Sequence, residues 1–288
     1  MSVSNIVLLD DGSAIGTLVP FRPVSSREIC KPLNRDRLLE VREKINDLIN
    51  RVHWHFETDA SKLDLGTPFV KMGPMVFSLK PEWTVRETFE YWETHAIQID
   101  CLVVLNITLL FYLREETADV ESLRPCMEID CSCGLVKTGF HCRLSSLAEL
   151  KPPLCNIEKQ REYAEILPAG CYCYVRGPVG WYSVVYGNDN RILQVETIYQ
   201  GENVLSIGNS EFLAFSRDYD GVKFPHPQLT VKSFDYIVDE LGRNGLKQLN
   251  SLYHPDQKVQ FVTRGERCTA NWMQVAGFEC VQILGMTE

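Results

Sequence analysis

The chain carries two hydrophobic rhythms. Over residues 36–52, Leu38, Val41, Ile45, Leu48, Ile49 and Val52 fall on one stripe, while Arg42, Glu43, Lys44 and Asn46 face the other way. Spacings of three and four predict an amphipathic helix with one buried face. Residues 84–93 are helix-like too: Thr84 stands as N-cap and Glu87, three residues on, completes the capping-box spacing. Residues 69–79 alternate weakly and predict a strand pair around Gly73-Pro74. Ile6-Val7-Leu8-Leu9 is a short strand candidate within an otherwise irregular stretch, 1–32.

Residues 101–113 are apolar almost throughout. Val103, Val104, Ile107 and Thr108 are β-branched, so periodicity does not separate helix from strand, and the length favours helix. The run is too short to span a bilayer and holds Asn106 and Thr108 inside it.

From Met127 the rhythm changes. Short β-prone runs cover 127–136, 139–144, 170–175, 180–185, 191–195, 202–206 and 212–215, punctuated by Gly134, Gly177-Pro178, Gly187-Asn188 and Gly201. Helix returns at the end: Ser233 caps 234–241, and Leu246, Leu249 and Leu252 continue the apolar spacing before Pro255. Helices, a block of antiparallel strands, then helices predict one α+β domain. We divide it into an N-terminal extension with the amphipathic helix (1–56), a core (57–258) and a C-terminal extension packed on the same domain (259–288). No internal repeat or low-complexity linker is visible.

Composition narrows the class. A chain of 288 residues with 45% hydrophobic content can bury a large core without staples. Its net charge of −9 and lack of a basic run argue against nucleic acid and membrane surfaces as partners. The first residues lack a cationic start and an apolar core, so no secretory signal is expected and synthesis is placed in the cytoplasm. The 11 cysteines are odd in number and are read as free thiols. Cys126, Cys131, Cys133, Cys142 and Cys155, with His141, form the one candidate zinc set, from which four ligands would come. The set lacks a Cys-x2-Cys pair, and Cys131 and Cys133 share one strand face. No metal or cofactor is expected, and a non-catalytic, zinc-stabilised binding module is kept as the alternative of another class.

The chemistry centres on Asp100-Cys101, at the mouth of the apolar run. A thiol in the first turn of a helix faces the positive end of its dipole and unpaired N–H groups, which stabilise thiolate. Cys101 is therefore the candidate nucleophile. Its base would come from the later strands, as in papain-like layouts. His141, His226 and His254 lie downstream and His95 upstream, and none gives a distinctive signal. Glu202, entering a strand after Gly201, shares the face of Val204 and Ser206. Burial there would raise its pKa and suit it to a thiol proton.

Three stretches carry a family resemblance. Asp100-Cys101 with its apolar helix is similar to the acidic-residue–Cys–helix motif of small bacterial spore-coat protein-glutamine γ-glutamyltransferases, which are calcium-independent transglutaminases. Ala169-Gly170-Cys171-Tyr172-Cys173-Tyr174-Val175 resembles that family's Gly-x-Cys-x-Tyr strand. Gly201-Glu202-Asn203-Val204-Leu205, with Gly208 after it, resembles its Gly-Glu-Asn-Val strand. The resemblance covers about 68–252. It implies a papain-like, NlpC-P60-like core with the nucleophile helix packed on an antiparallel sheet. It also implies Cys101 as nucleophile, Glu202 as main catalytic carboxylate and Asp100 as the second. The family has Glu at the position of Asp100 and a His at that of Phe215, a departure that leaves a Cys–carboxylate dyad. The implied reaction joins protein glutamine to lysine through a Cys101 thioester, with substrate proteins bearing Gln and Lys. Backbone N–H groups at the helix start would hold the oxyanion. The implied setting is a spore coat or signal-less secretion. Glutamine deamidation and papain-like proteolysis, with His141 or His226 as base, are the alternatives on the same nucleophile.

Overall fold

The computed structural model describes residues 7–8, 14–15, 33–73, 75–130, 141–142, 161–162, 164–165, 167–176, 181–186, 189–194, 201–219, 222–252, 258–262 and 277–283. In chain order, β1 (Val7–Leu8) pairs antiparallel with β2 (Ala14–Ile15). Helix α1 (Arg35–Val52) starts at an Asn34 cap and buries Leu38, Val41, Ile45, Leu48 and Ile49, the stripe read from the sequence. Then come β3 (His55–Phe56), β4 (Phe69–Gly73), β5 (Val76–Leu79), α2 (Val85–Thr94), β6 (Gln98–Ile99), α3 (Cys101–Glu116), β7 (Ile129–Asp130) and β8 (His141–Cys142). The hairpin β4–β5 is the strand pair expected around Gly73. The α2 cap is the expected capping box: Thr84 accepts from Glu87 N–H while the Glu87 carboxylate accepts from Thr84 N–H.

The later strands are β9 (Cys171–Arg176), β10 (Trp181–Tyr186), β11 (Asp189–Gln194), β12 (Gly201–Gly208), β13 (Glu211–Tyr219) and β14 (Val222–Ser233). They are followed by α4 (Phe234–Leu252), β15 (Lys258–Val262) and β16 (Gly277–Ile283). The main sheet has the order β14-β13-β12-β9-β16-β8, with antiparallel neighbours throughout. Strands β10, β11 and β15 form a second antiparallel sheet, and β3–β6 is parallel. The fold is mixed helix and sheet with antiparallel sheets, an α+β arrangement. No helix among the described residues is long and apolar enough to cross a membrane.

Burial divides the main sheet into two faces, and this division decides the site. One face packs Tyr172, Leu205, Ile207, Leu213, Phe215 and Leu229 against α1 and α3. The other packs Cys171, Cys173, Val175, Val204, Phe212 and Ala214 against Phe234, Ile237 and Leu241 of α4. Helix α1 is integral to the first of these cores: the Asn46 side chain bonds both the carbonyl (3.0 Å) and the N–H (2.8 Å) of Leu229 in β14.

Helix α3 is buried on every side from Leu102 to Leu113, which is why its sequence shows no amphipathic period. Asn106 and Thr108 each donate to a carbonyl one turn back, those of Leu102 and Val104. At the β12–β13 turn, Asn209 and Ser210 both hold positive φ (56° and 59°), the conformation of a tight hairpin turn that follows the strand twist.

One local expectation changes. The prolines around His226 predicted a loop, yet β14 runs through Pro225 and Pro227. It is an edge strand, and its register against β13 shifts between Ser216 and Asp218 at this place, which removes the need for the missing N–H groups. The helix capped by Ser233 runs on through Gly242 and Gly245 to Leu252, as the apolar spacing of Leu246, Leu249 and Leu252 predicted.

Candidate active site

Asp100 is the N-cap of α3. Its Oδ1 accepts from the N–H groups of Leu102 (3.0 Å) and Val103 (2.7 Å), and its carbonyl accepts from Val104. Cys101, the next residue, is a half-buried free thiol at the helix start. Opposite it stands Asn203 of β12, whose Nδ2–H donates to Cys101 Sγ at 3.2 Å across a sequence separation of 102. Asn203 is oriented in turn by Tyr172 of β9, whose hydroxyl donates to Asn203 Oδ1. A sulfur, an amide and a phenol thus form one hydrogen-bonded chain from helix to sheet.

Strand alternation explains why the residue on the sulfur is Asn203. Residues 203, 205 and 207 point toward α3, and 202, 204 and 206 point toward α4. The Glu202 side chain is only 14% exposed, in keeping with its sharing a face with Val204, but that face is turned away from Cys101. Its Oε1 instead accepts from Lys232 Nζ at 3.3 Å and from Ser216 at 3.4 Å, and Lys232 also bonds Glu240 of α4. The expectation that Glu202 stands beside the thiol is corrected by this one-residue parity. Its charge still reaches the sulfur, less strongly than that of Asp100.

The electrostatics reverse a second expectation. Burial, reinforced by the Asp100 carboxylate, pushes the Cys101 thiol up to about 12, against the opposing pull of the Asn203 amide. The helix start does not favour thiolate here because its first N–H groups are already taken by Asp100, which brings a negative charge with it. Cys101 is therefore a neutral thiol at rest. The same capping narrows the expected oxyanion site: the Leu102 and Val103 N–H groups are occupied, and the Cys101 N–H is left at the sulfur. Burial also raises Asp100 and Glu202 from their ordinary values. The N–H bonds of Val103 and Leu102 oppose it at Asp100, and the Lys232 cation opposes it at Glu202.

Phe215 lies on the Asn203 face. Val204 pairs with Ala214, which brings Phe215 level with Asn203, and its ring rests on Phe56 with centroids 5.5 Å apart. Phe56 is also part of a cleft of about 310 Å³ lined by Trp54, His55, Arg217, His226 and neighbouring β14 residues. Strand β3, which carries Phe56, pairs with β6, and β6 leads directly into Asp100 and Cys101.

The other candidates lie apart. His226 lies against His53 on the cleft (5.9 Å), and His95 stacks on Tyr91 (4.1 Å) at the far end of α2. Cys131, Cys133, Cys155 and His254 fall outside the described residues, and of His141 and Cys142 only the backbone is described. Among the described residues, no group of three or more His, Cys, Asp or Glu side chains is placed to hold a metal ion. Compared with known proteins, the chain matches no protein-family model, no curated protein and no solved structure.

Asn203, Tyr172 and Lys232 were not singled out by sequence reasoning. For Asn203 the signal was present: alternation along Gly201-Glu202-Asn203-Val204 places Glu202 and Asn203 on opposite faces, so only one of them meets α3. For the buried Lys232, nothing in its flanks distinguishes it from a surface lysine.

Proposed function

We propose that this chain is a protein-glutamine γ-glutamyltransferase with a papain-like core, in which the Cys101 sulfur carries the acyl group. One observation carries the reading. The three stretches that resemble the family meet in the single chain Cys101–Asn203–Tyr172. Residues distant in sequence and similar to one family's motifs are thereby joined around the nucleophile that the resemblance implies.

The mechanism follows from a neutral thiol. The S–H proton leaves as sulfur bonds to the side-chain carboxamide carbon of a substrate glutamine. Asp100 receives it, in place of the Glu202 implied by the resemblance, because its charge acts more strongly on the sulfur, while the Glu202 carboxylate is engaged by Lys232 and Ser216 on the other face of the sheet. Asp100 then protonates the departing nitrogen, ammonia leaves, and a thioester remains. A neutral lysine amine attacks the thioester; its proton returns through Asp100 to the sulfur as the isopeptide bond forms. Glu202, bonded to Lys232 behind the sheet, contributes a fixed charge.

Asp100→Asn separates these roles, since Asn is as good a helix cap as Asp. Without the proton acceptor, kcat falls by roughly 10²–10⁴-fold. Without the negative charge, the thiol becomes more acidic, so alkylation of Cys101 by iodoacetamide speeds up. Turnover and thiol reactivity thus move in opposite directions, read by steady-state kinetics and by mass spectrometry of the Cys101 peptide. In the wild type, the acid limb of the kcat profile lies above the ordinary aspartate value of 3.8, as burial dictates.

The reading is tested by incubating the protein with casein and a labelled primary amine, with calcium and with a chelator. Amine incorporation in both arms is expected. Ammonia release without amine uptake would assign a deamidase, and neither product would favour the binding-module class.

A further inference from the structure

We infer that Asn203 is a catalytic residue of this site, its Nδ2–H holding the oxygen that becomes negative when the Cys101 sulfur adds to a carbonyl, with Tyr172 as the residue that positions it. The inference rests on the acyl-transfer reading above and adds to it a role for Asn203 that the resemblance does not assign.

The argument is one of available donors. Addition of sulfur to the carboxamide carbon moves the carbonyl π pair onto oxygen, and that charge needs N–H groups already aimed at it. At the start of α3 the usual donors are engaged, because Leu102 and Val103 give their N–H groups to Asp100 Oδ1. Among the described residues, two donors face the sulfur. One is the backbone N–H of Cys101 itself, and the other is the Asn203 amide at 3.2 Å. An oxygen on the carbon bonded to Sγ lies one bond further out, within reach of both. As the C–S bond forms, the Asn203 N–H passes from sulfur to this oxygen. When the tetrahedral species collapses, the electron pair returns to the carbonyl and the C–N bond breaks, with ammonia as the leaving group.

An amide serves only if its NH2 end faces the reaction. Tyr172 fixes this by donating its hydroxyl to Asn203 Oδ1, which leaves Nδ2 toward Cys101. Tyr172 is wholly buried and Asn203 is anchored in β12 between β9 and β13, so the donor is held on rigid strands.

Kinetics of a glutamine peptide donor, compared across variants, test the inference. Asn203→Ala lowers kcat by roughly 10²–10³-fold with KM nearly unchanged, the loss typical of one oxyanion donor. Asn203→Asp, almost the same shape, loses at least as much, because it sets a carboxylate against the developing charge, and Cys101 alkylation slows in the same variant. Tyr172→Phe, which removes one oxygen atom, gives a smaller fall in kcat, again at constant KM. It serves as the test if an Asn203 variant fails to fold. Variants that keep wild-type kcat while the wild type turns over would overturn the inference and leave the acyl-transfer reading standing. A wild type that forms neither thioester nor product would remove both.

Discussion

Cys101→Ala is expected to lower amine incorporation by roughly 10⁴-fold or more, the scale seen when a covalent nucleophile is removed, with little change in stability. The two effects separate because of where the sulfur sits. Cys101 is half-buried at the first position of α3, and the cap that starts the helix belongs to Asp100, so truncation leaves the helix intact. The sulfur's bond to Asn203 is lost, at a cost of about 1 kcal/mol. Cys101→Ser is expected to be as inactive as the alanine variant, since an alcohol holds its proton more tightly than the thiol and Asp100 is no stronger a base for it. Incorporation of a labelled amine into casein, with thermal unfolding followed by circular dichroism, measures both effects. A folded alanine variant that kept a tenth of wild-type activity would move the nucleophile elsewhere.

Lys232→Met carries the largest expected loss of stability, about 3–5 kcal/mol, the usual cost of removing one partner from a buried ionic group. The Lys232 side chain is 1% exposed and bonds two carboxylates, Glu202 from β12 and Glu240 from α4. Methionine fills the space but leaves both acids facing each other on the α4 side of the sheet. The pH dependence has a definite sign. Burial holds Glu202 above its ordinary 4.5, so its favourable protonated form is present at low pH and is lost as pH rises through the folded value. With Lys232 gone this trend steepens, so the variant is closer to wild type at pH 5 than at pH 8 in urea unfolding. The triple replacement Lys232→Met, Glu202→Gln, Glu240→Gln recovers most of the loss, because no uncompensated charge remains.

These two residues mark the limits of what was legible in the sequence. The α1 stripe and the Thr84–Glu87 box were readable because each is local: a period of three to four, or a pair three residues apart. The apolar run after Asp100 was identified as a helix by length alone, since burial on all sides erases the period. The sheet face toward α3 was not readable. Val204, Leu205, Ser206 and Ile207 are all buried, so apolar alternation does not show which set meets the helix, and Glu202 was assigned to the wrong side. The thiol's protonation state was missed for a related reason. The dipole argument counts the helix start as vacant, whereas the Asp100 side chain takes up its N–H groups and adds a charge. Pro225 and Pro227 misled in the same way: proline excludes a central strand, but whether β14 lies at an edge depends on the whole sheet.

The central claim is that acyl groups pass through the sulfur of Cys101. It is tested most directly by mixing the protein with a glutamine-containing peptide in the absence of amine, quenching in acid and mapping the adduct by mass spectrometry. The account predicts one peptide, less ammonia, attached through a hydroxylamine-labile bond at Cys101, with ammonia released in equal amount. An adduct on another residue, or ammonia released with Cys101→Ala as fast as with the wild type, would contradict it.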